Sequence, residues 1–343
     1  MIDGEELARS PAWFPLEFAA ADAVRLIRLS EATYRSASFL DRRALASNPQ
    51  QAIGDLGMLE AAATQLAPRA HYIFHIGHVG STLISRLVGE HEQVFSLREP
   101  ALLRGIAAQA GGSAGSEGAL ARALPLGTLL RLLARTWRPE QRAVIKATSF
   151  VSELAPLMLA SSEQPATILV FAQPLAYLRG ILGGSGSRVE AQMLAPSRAQ
   201  RLARRLGPGE WRAQLRTEGE HLAMSWLCEM AALRQAHEAG LPARARSLWV
   251  DFDQFLADPA RMLLQIFGTL GASPALHECE ALVHGPLMRR YSKAPEYAYD
   301  AELRREVLAA AERQHGAEIG RGMRWLERLA GHCTLVARIL ETR

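Results

Sequence analysis

Five short apolar runs in the middle of a chain of 343 residues constrain its fold more than any other feature. They read YIFHI, VFSL, AVIKA, TILVF and SLWVDF, and longer segments with helical periodicity separate them. Strands that alternate with helices in this way are typical of a parallel sheet flanked by helices. Several of the runs lack polar alternation, as strands buried on both faces do. The sequence therefore predicts an α/β core over residues 68–272.

The two ends of the chain predict helices instead of strands. Residues 1–67 show helical periodicity at 20–29 and 56–66 and carry no strand signal, which predicts an N-terminal helical cap. From residue 273 to residue 343 the pattern is again mainly helical. The expected architecture is a parallel sheet with helical additions at both ends of the chain.

The composition indicates an ordinary globular protein, with 49% hydrophobic and 22% charged residues and a net charge of +4. That charge is too dilute to indicate nucleic-acid binding. The three cysteines are far apart and show no ligand spacing, so reduced thiols and no metal site are expected. The sequence has neither an apolar N-terminal signal segment nor an apolar run of about 18 residues, so neither a signal peptide nor a membrane span is expected. These features predict a cytoplasmic protein.

The basic residues are strongly biased, because 37 of the 39 are Arg and only Lys146 and Lys293 are Lys. Drift of a GC-rich genome explains the excess of Arg at tolerant surface positions. A Lys that persists against such drift indicates a place where a compact ammonium fits and a planar guanidinium does not. Both lysines are therefore candidate site residues.

The segment HYIFHIGHVGSTLISRLVGE has the features of a phosphate-binding loop. An apolar strand ends at Gly77, a tight turn contains Gly80, and Ser81 and Thr82 begin an amphipathic helix. Glycine lets the backbone approach an anion closely, and the N-terminus of the helix adds N–H donors and a favourable dipole. No Lys precedes the hydroxyl residues as it does in GxxxxGK[ST], which argues against an ATPase or ATP kinase.

Extended to Pro100, this segment resembles the 5′-phosphosulfate-binding loop of sulfotransferases, in particular of the bacterial and tyrosylprotein-type branch. AVIKATS, SLWVDFDQFLADPARMLLQIFGTLGA and YSKAPEYAYD resemble later family motifs in the same order, so that the resemblance spans most of residues 71–300. It implies a P-loop-like α/β fold. It also implies transfer of a sulfuryl group from 3′-phosphoadenosine 5′-phosphosulfate (PAPS) to a hydroxyl of a peptide tyrosine, a sugar or a small molecule.

The resemblance implies roles for individual residues. The loop residues that would hold the phosphosulfate are Gly77, Val79, Gly80, Ser81 and Thr82. Glu99 follows VFSL and would be the catalytic base, the alternative being a solvated Glu in a loop. His78 occupies a loop position where the family carries Lys or Arg. It would assist the leaving phosphate oxygen, the alternative being a structural His that caps the turn.

The two lysines also receive roles. Lys146 ends the AVIK run, and because Lys is almost never buried without a partner, it is expected to point into the crevice and reach the sulfonate oxygens. Lys293 and its neighbour Ser292 are expected to contact the donor nucleotide, the alternative being an exposed loop.

The sequence departs from the family at the site for the donor's 3′-phosphate. Ala172 stands where the family carries Arg, and Gly180 stands where it carries Ser. Arg179 is a candidate substitute from the following helix, and Arg290 and Lys293 are candidates from the C-terminal segment. Two alternatives remain open: a nucleotide-binding transferase that moves a phosphoryl or other group from a donor other than PAPS, and a sulfotransferase-like binding protein that has lost catalysis.

Three other segments and one further residue carry expectations about structure. The Gly/Ser-rich stretches 111–118 and 183–187 are too poor in side chains to pack, so each is expected to be a linker or, for the second, a lid over substrate. The arginines of the stretch SRAQRLARRL are expected on a solvated helix face. Trp226 is expected to pack in the interior.

Overall fold

The computed structural model describes residues 3–20, 22–110, 125–207, 209–240, 246–292 and 296–342. Lys293 and the Gly/Ser-rich stretch 111–118 lie outside these ranges.

The N-terminal region contains a sheet, so the prediction that residues 1–67 are helical is wrong. Its three antiparallel strands, in the spatial order β1-β2-β3, are Trp13–Ala20 (β1), Ala23–Arg28 (β2) and Gln51–Asp55 (β3). Strand β2 falls within the stretch predicted as helix. Six residues are too few to separate the two periodicities, and pairing of β2 with a neighbour on each side decides its conformation.

Three short helices accompany this sheet: Gly4–Arg9 (α1), Glu31–Ser36 (α2) and Leu56–Thr64 (α3). Helix α3 falls within the second stretch predicted as helical, and there the prediction is confirmed. Asp55 ends β3 and caps α3 by accepting a hydrogen bond from the Met58 N–H at 2.7 Å.

The core confirms the predicted α/β class. Its sheet has five parallel strands, each of which falls on one of the five apolar runs. In chain order they are Ala70–His75 (β4), Val94–Arg98 (β5), Arg142–Lys146 (β6), Ala166–Phe171 (β7) and Arg246–Asp251 (β8). Their spatial order is β5-β6-β4-β7-β8. Strand β4, which leads into the glycine loop, therefore lies at the centre of the sheet.

Helices connect these strands and extend the chain beyond them. Those of the core are Ser81–Gly89 (α4), Ala101–Ala110 (α5), Leu126–Leu133 (α6), Ala155–Ala160 (α7), Pro174–Leu182 (α8), Ser185–Leu206 (α9), Glu218–Gly240 (α10), Phe252–Ala257 (α11) and Pro259–Leu270 (α12). Those of the C-terminal region are Leu276–His284 (α13), Ala301–Ala330 (α14) and Thr334–Leu340 (α15). None of the helices in the described part of the chain has the length and apolarity that a membrane span requires.

Two buried arginines attach the N-terminal region to the core. Arg98 donates to the backbone carbonyls of Tyr34, Arg35 and Ala37, at the C-terminal end of α2. Arg135 donates to the carbonyls of Leu7 in α1, of Ser10 after that helix and of Trp13 at the start of β1. Burial lowers the pKa of Arg98 to about 9 and that of Arg135 to about 10. The carbonyl oxygens therefore replace the water that solvates these cations in the unfolded chain.

Helix α10 passes through the interior and is buried along most of its length. Trp226 on this helix is buried as predicted, and its indole Nε1 donates to the Ala172 carbonyl at 2.9 Å. The prediction of a solvated Arg face on the neighbouring α9 is wrong for Arg198 and Arg201. Both are buried against Glu229 of α10, because opposite charges on the two helices pair where the helices pack.

The stretch 183–187 is neither a linker nor an unpacked loop. Helix α8 ends at Leu182, and α9 begins at Ser185, so the glycines mark the break between two helices. A Cβ at Gly183 would lie 3.1 Å from Val307 of α14. The close packing of α14 therefore accounts for the glycine at position 183, whereas a Cβ at Gly186 would meet nothing within 4 Å.

Candidate active site

The glycine loop joins β4 to α4 through three residues with left-handed backbone. The φ angles are +85° at Gly77, +55° at His78 and +67° at Gly80. This conformation turns the chain sharply so that the first turn of α4 faces back over the end of the sheet. No side chain of the described residues caps α4. Its first N–H groups therefore point to the outside of the loop, as an anion-binding helix terminus requires.

Gly80 is required by its surroundings as well as by its φ angle. A Cβ at this position would lie 1.9 Å from the ring of Phe252. Phe252 follows β8 directly and is held there because Asp251 caps α11 through the N–H groups of Asp253 and Gln254. The late strand–helix motif of the sequence thus supports the loop from behind.

The loop forms one wall of a cavity of about 310 Å³. The opposite walls come from α8, α9, α11, the segment around residue 290 and α14. The residues that bear on the predicted site and line the cavity are His75, His78, Val79, Gly80, Ser81, Thr82, Gly180, Ser187, Phe252, Arg290, Tyr291, Ser292 and Arg304. The loop residues from His78 to Thr82 and Ser292 therefore line one cavity, and their predicted roles in binding the donor stay predictions. Gly77 lies in the same loop but outside the lining.

Thr82 is the residue of the loop whose environment most clearly indicates a ligand. It is 3% exposed, and its Oγ1 has no hydrogen-bond partner among the described residues. A buried hydroxyl without a partner is unfavourable by about 1–3 kcal/mol. An oxyanion on the first turn of α4 would supply that partner.

Positive charge reaches the cavity from the C-terminal region, a contribution that the sequence analysis recognised only in part. Arg290 is exposed and makes no ion pair with any residue in the described ranges. Arg304 is buried, with its guanidinium 2.8 Å from Asp253 and 5.0 Å from the centre of the Phe252 ring. No sequence motif marked Arg304, because its position depends on how α14 packs against α11.

Glu99 and Lys146 form an ion pair with each other. Lys146 has no exposed surface, and its Nζ contacts Glu99 Oε1, while Thr148 donates to the other carboxylate oxygen at 3.0 Å. Neither residue lines the cavity, so the expectation that Lys146 points into the crevice is wrong. The pair nevertheless lies close to the loop, because the segment after Lys146 reaches Ser149, whose side chain lies 3.8 Å from a Cβ placed on Gly77.

His78 projects across the cavity to α9. Its Nδ1 lies 3.2 Å from Ser187 Oγ, and its Nε2 lies 3.1 Å from Glu190 Oε2. Burial and, to a lesser extent, the charge of Glu190 raise the pKa of Tyr291 in the wall opposite. Glu190 was not among the residues predicted from the sequence. The feature that could have indicated it is its spacing of three residues from Ser187, which places both side chains on one face of a helix.

The residues that bear on the 3′-phosphate contacts lie in different surroundings. Arg179 pairs with Glu312 of α14 at 2.5 Å and does not line the cavity. Ala172 is buried with its carbonyl bonded to Trp226, so it faces the interior. Gly180 does line the cavity, and a Cβ there would meet only Leu308, at 3.9 Å.

The known proteins that match this chain do so by structure and not by sequence. No family model matches the sequence, and no curated protein matches it either. The structure is similar to a sulfotransferase domain from the curacin biosynthetic pathway and to one from the olefin synthase of Synechococcus PCC 7002. The identities are 15% and 16%, each TM-score is 0.41, and each match covers 77% of this chain and 98% or 96% of the other. A sulfotransferase from Alicyclobacillus acidocaldarius is similar at 15% identity and a TM-score of 0.38, covering 74% of this chain and 96% of the other.

Proposed function

We propose that this chain is a sulfotransferase that binds a nucleotide phosphosulfate in the glycine loop and moves its sulfuryl group to an acceptor hydroxyl. The observation that carries the proposal is the cradle at residues 77–82. It combines a left-handed turn, an uncapped helix N-terminus and the buried Thr82 hydroxyl without a partner in the described residues. Each of these features favours a bound oxyanion.

Sulfuryl transfer of this kind is an in-line displacement, so the protein has to hold donor and acceptor in line and stabilise the charge on the leaving phosphate. The backbone N–H groups of the loop and the hydroxyls of Ser81 and Thr82 would hold the 5′-phosphosulfate. The acceptor would enter through the open side of the cavity as a hydroxyl of a peptide tyrosine, a sugar or a small molecule.

Glu99 and Lys146 keep their proposed roles as base and sulfonate contact only if their ion pair opens. In the described conformation the ammonium and the carboxylate neutralise each other below the loop. Because a buried pair opens only where another charge replaces the lost partner, the negative charge of the bound donor would have to draw the Lys146 ammonium away from Glu99.

The PAPS form of the proposal assigns the donor's 3′-phosphate to Arg290. This guanidinium lines the same cavity as Gly180 and pairs with no carboxylate among the described residues. A charge-assisted contact from Arg to a phosphate is about twice as strong as a neutral hydrogen bond. Arg290 would therefore replace the Arg that the family carries at the position of Ala172.

A second candidate is transfer from a donor without a 3′-phosphate, such as adenosine 5′-phosphosulfate. It is favoured by the ion pair of Arg179 with Glu312 and by the burial of Ala172, because neither of these two positions presents a cation to the cavity. The two candidates share the glycine loop and differ only in what Arg290 does.

Calorimetry with adenosine 3′,5′-bisphosphate and with adenosine 5′-monophosphate tests both candidates. We expect the bisphosphate to bind with a Kd below millimolar. We expect Arg290→Ala to weaken binding of the bisphosphate and to leave binding of the monophosphate unchanged. Equal binding of the two nucleotides would favour the second candidate. Two variants test whether nucleotide binding depends on the glycine loop. Gly80→Ala, whose Cβ meets Phe252, should lose binding, and the control Gly268→Ala, whose Cβ meets nothing within 4 Å, should keep it. Absence of binding by the wild-type protein at millimolar nucleotide would contradict the proposed function.

A further inference from the structure

We infer that His78 is the general base of this site. Its Nδ1 accepts the proton of the acceptor hydroxyl, and Glu190 positions the His78 ring. The inference rests on the proposed function and adds residues that the sequence motifs did not assign to this task. Its starting point is that both ring nitrogens of His78 face α9, one towards Ser187 and the other towards Glu190.

The chemistry of the partners fixes the roles of the two ring nitrogens. An ionised carboxylate only accepts hydrogen bonds, so Nε2 carries the hydrogen and donates it to Glu190 Oε2 at 3.1 Å. In the neutral ring Nδ1 then has a free electron pair, and the Ser187 hydroxyl donates to it at 3.2 Å. A base held by a carboxylate on one side and in contact with a hydroxyl on the other is the arrangement that general-base catalysis requires.

The position of this pair suits the task better than that of Glu99. His78 and Ser187 both line the cavity that the phosphate loop borders, whereas Glu99 does not. Both oxygens of Glu99 are engaged, one by Lys146 and the other by Thr148. Glu190 has 55% of its side chain exposed beside His78, so the ring is held from the solvent side and not from the interior.

The Ser187 hydroxyl marks the place that an acceptor hydroxyl would take against Nδ1. In the reaction the acceptor oxygen forms a bond to sulfur while the bond from sulfur to the bridging phosphate oxygen breaks. The electron pair of the broken bond stays on the phosphate. The acceptor proton passes to Nδ1 of His78 and leaves later to the phosphate or to water, so the products are a sulfate ester and the nucleotide phosphate.

The helix that carries Ser187 and Glu190 is anchored independently of the cavity. Farther along α9, Arg198 and Arg201 are fixed by Glu229, and Arg188 pairs with Glu218 of α10 at 2.7 Å. A carboxylate on a fixed helix holds the His78 ring in the orientation in which Nδ1 faces Ser187, which lines the cavity. Positioning of this kind affects turnover more than affinity for the donor.

The test measures transfer of the sulfuryl group from a labelled phosphosulfate donor to 2-naphthol and to water, and affinity for adenosine 3′,5′-bisphosphate by calorimetry. We expect His78→Gly, which keeps the left-handed backbone, to lower turnover about 100-fold or more while the affinity changes less than about threefold. Added imidazole should restore at least about tenfold of the lost rate. His78→Asn serves as a second variant, since Asn also tolerates this backbone conformation.

Glu190→Gln should lower kcat about tenfold without raising KM for the donor, and Glu190→Asp should recover part of that loss. Glu238→Gln is the control, because Glu238 makes an exposed pair with Arg234 within α10 and does not line the cavity, and its kcat should equal that of the wild type. Full turnover by His78→Gly, or equal effects of the Glu190 and Glu238 variants, would overturn the inference and leave the proposed function intact. A wild-type protein that neither binds the bisphosphate nor transfers the label would contradict both.

Discussion

Helix α9 carries two sets of ionic contacts that have similar chemistry and opposite surroundings. Near its N-terminus Glu190 pairs with His78, which lines the cavity, and more than half of the Glu190 side chain is exposed. About two to three turns on, Arg198 and Arg201 pair with Glu229, whose side chain is 1% exposed. The exposed pair can exchange its partner for a substrate at little cost, whereas the buried pair cannot open without stranding a charge.

The buried set shows how burial and pairing compete. Burial alone would raise the pKa of Glu229, but the guanidinium groups of Arg201 and Arg198 outweigh it and lower that pKa from its ordinary 4.5 to about 2. The same carboxylate contributes to the raised pKa of Arg201. Helix α9 is therefore anchored to α10 by a buried ion pair, whereas the pair near its N-terminus is exposed.

The largest expected effect comes from removing the buried carboxylate. Glu229→Ala leaves Arg198 and Arg201 buried without their shared partner, which should lower the free energy of unfolding by about 3–5 kcal/mol. Urea denaturation measures it. The control is Glu238→Ala, which breaks an exposed pair with Arg234 on the same helix and should change stability by less than about 0.5 kcal/mol. Equal losses in the two variants would contradict the comparison.

A second buried pair, Glu99 with Lys146, extends the comparison to the region below the loop. Lys146→Met leaves Glu99 with Thr148 as its hydrogen-bond donor, and we expect a loss of about 2–4 kcal/mol in the free energy of unfolding. The double variant Lys146→Met with Glu99→Gln should recover part of this loss, because it also removes the buried negative charge that Lys146 balanced. If the double variant loses at least as much free energy of unfolding as the two single variants together, the ion pair is not the reason for the loss.

The pH dependence of stability should report the buried set. Because the pKa of Glu229 is lower in the folded chain than in the unfolded chain, its contribution is complete above about pH 4.5 and is lost as the pH falls towards 2. This loss is on the order of 3 kcal/mol. Urea midpoints measured across this range should fall less steeply in Glu229→Gln than in the wild-type protein. Parallel curves would show that Glu229 does not titrate as its surroundings indicate.

The loop itself allows a sharper test that separates backbone strain from a steric clash. Gly80→Ala places a Cβ into the ring of Phe252 at a φ of +67°, and should lower stability by about 2–4 kcal/mol. Combining it with Phe252→Ala removes the clash but keeps the strain. The added effect of Gly80→Ala should then shrink to about 1 kcal/mol, the cost of a left-handed Ala. An undiminished effect in thermal or urea unfolding would show that Phe252 does not support the loop.

The smallest effect on stability is expected at the exposed pair. Glu190→Gln should leave the free energy of unfolding within about 0.5 kcal/mol of the wild type, because water replaces what the carboxylate gave to His78. The same variant is expected to lower turnover, as set out above. A large loss of stability would mean that Glu190 anchors α9 in the way Glu229 does, and the contrast between the two ends of the helix would disappear.

The sequence predicted the elements whose signal is local. The five strands of the core fall on the five apolar runs, and the glycine loop and the start of α4 lie where the spacing of Gly80, Ser81 and Thr82 placed them. Burial on both faces requires a continuous apolar run, and a tight turn before a helix requires glycine, so both leave marks in a short stretch of sequence. Strand β2 was missed because six residues with mixed periodicity depend on their partners for their conformation.

The contacts of the site belong to the tertiary structure. By itself the sequence determined a parallel sheet, a loop suited to an oxyanion and a pair of retained lysines, of which Lys146 lies in the described structure. Only the packing of distant elements decided that Lys146 pairs with Glu99, that Phe252 lies behind Gly80 and that His78 reaches Glu190. The physical reason is range: backbone conformation responds to neighbours a few residues away, whereas a side chain's charge is balanced by whichever groups the fold brings within about 4 Å.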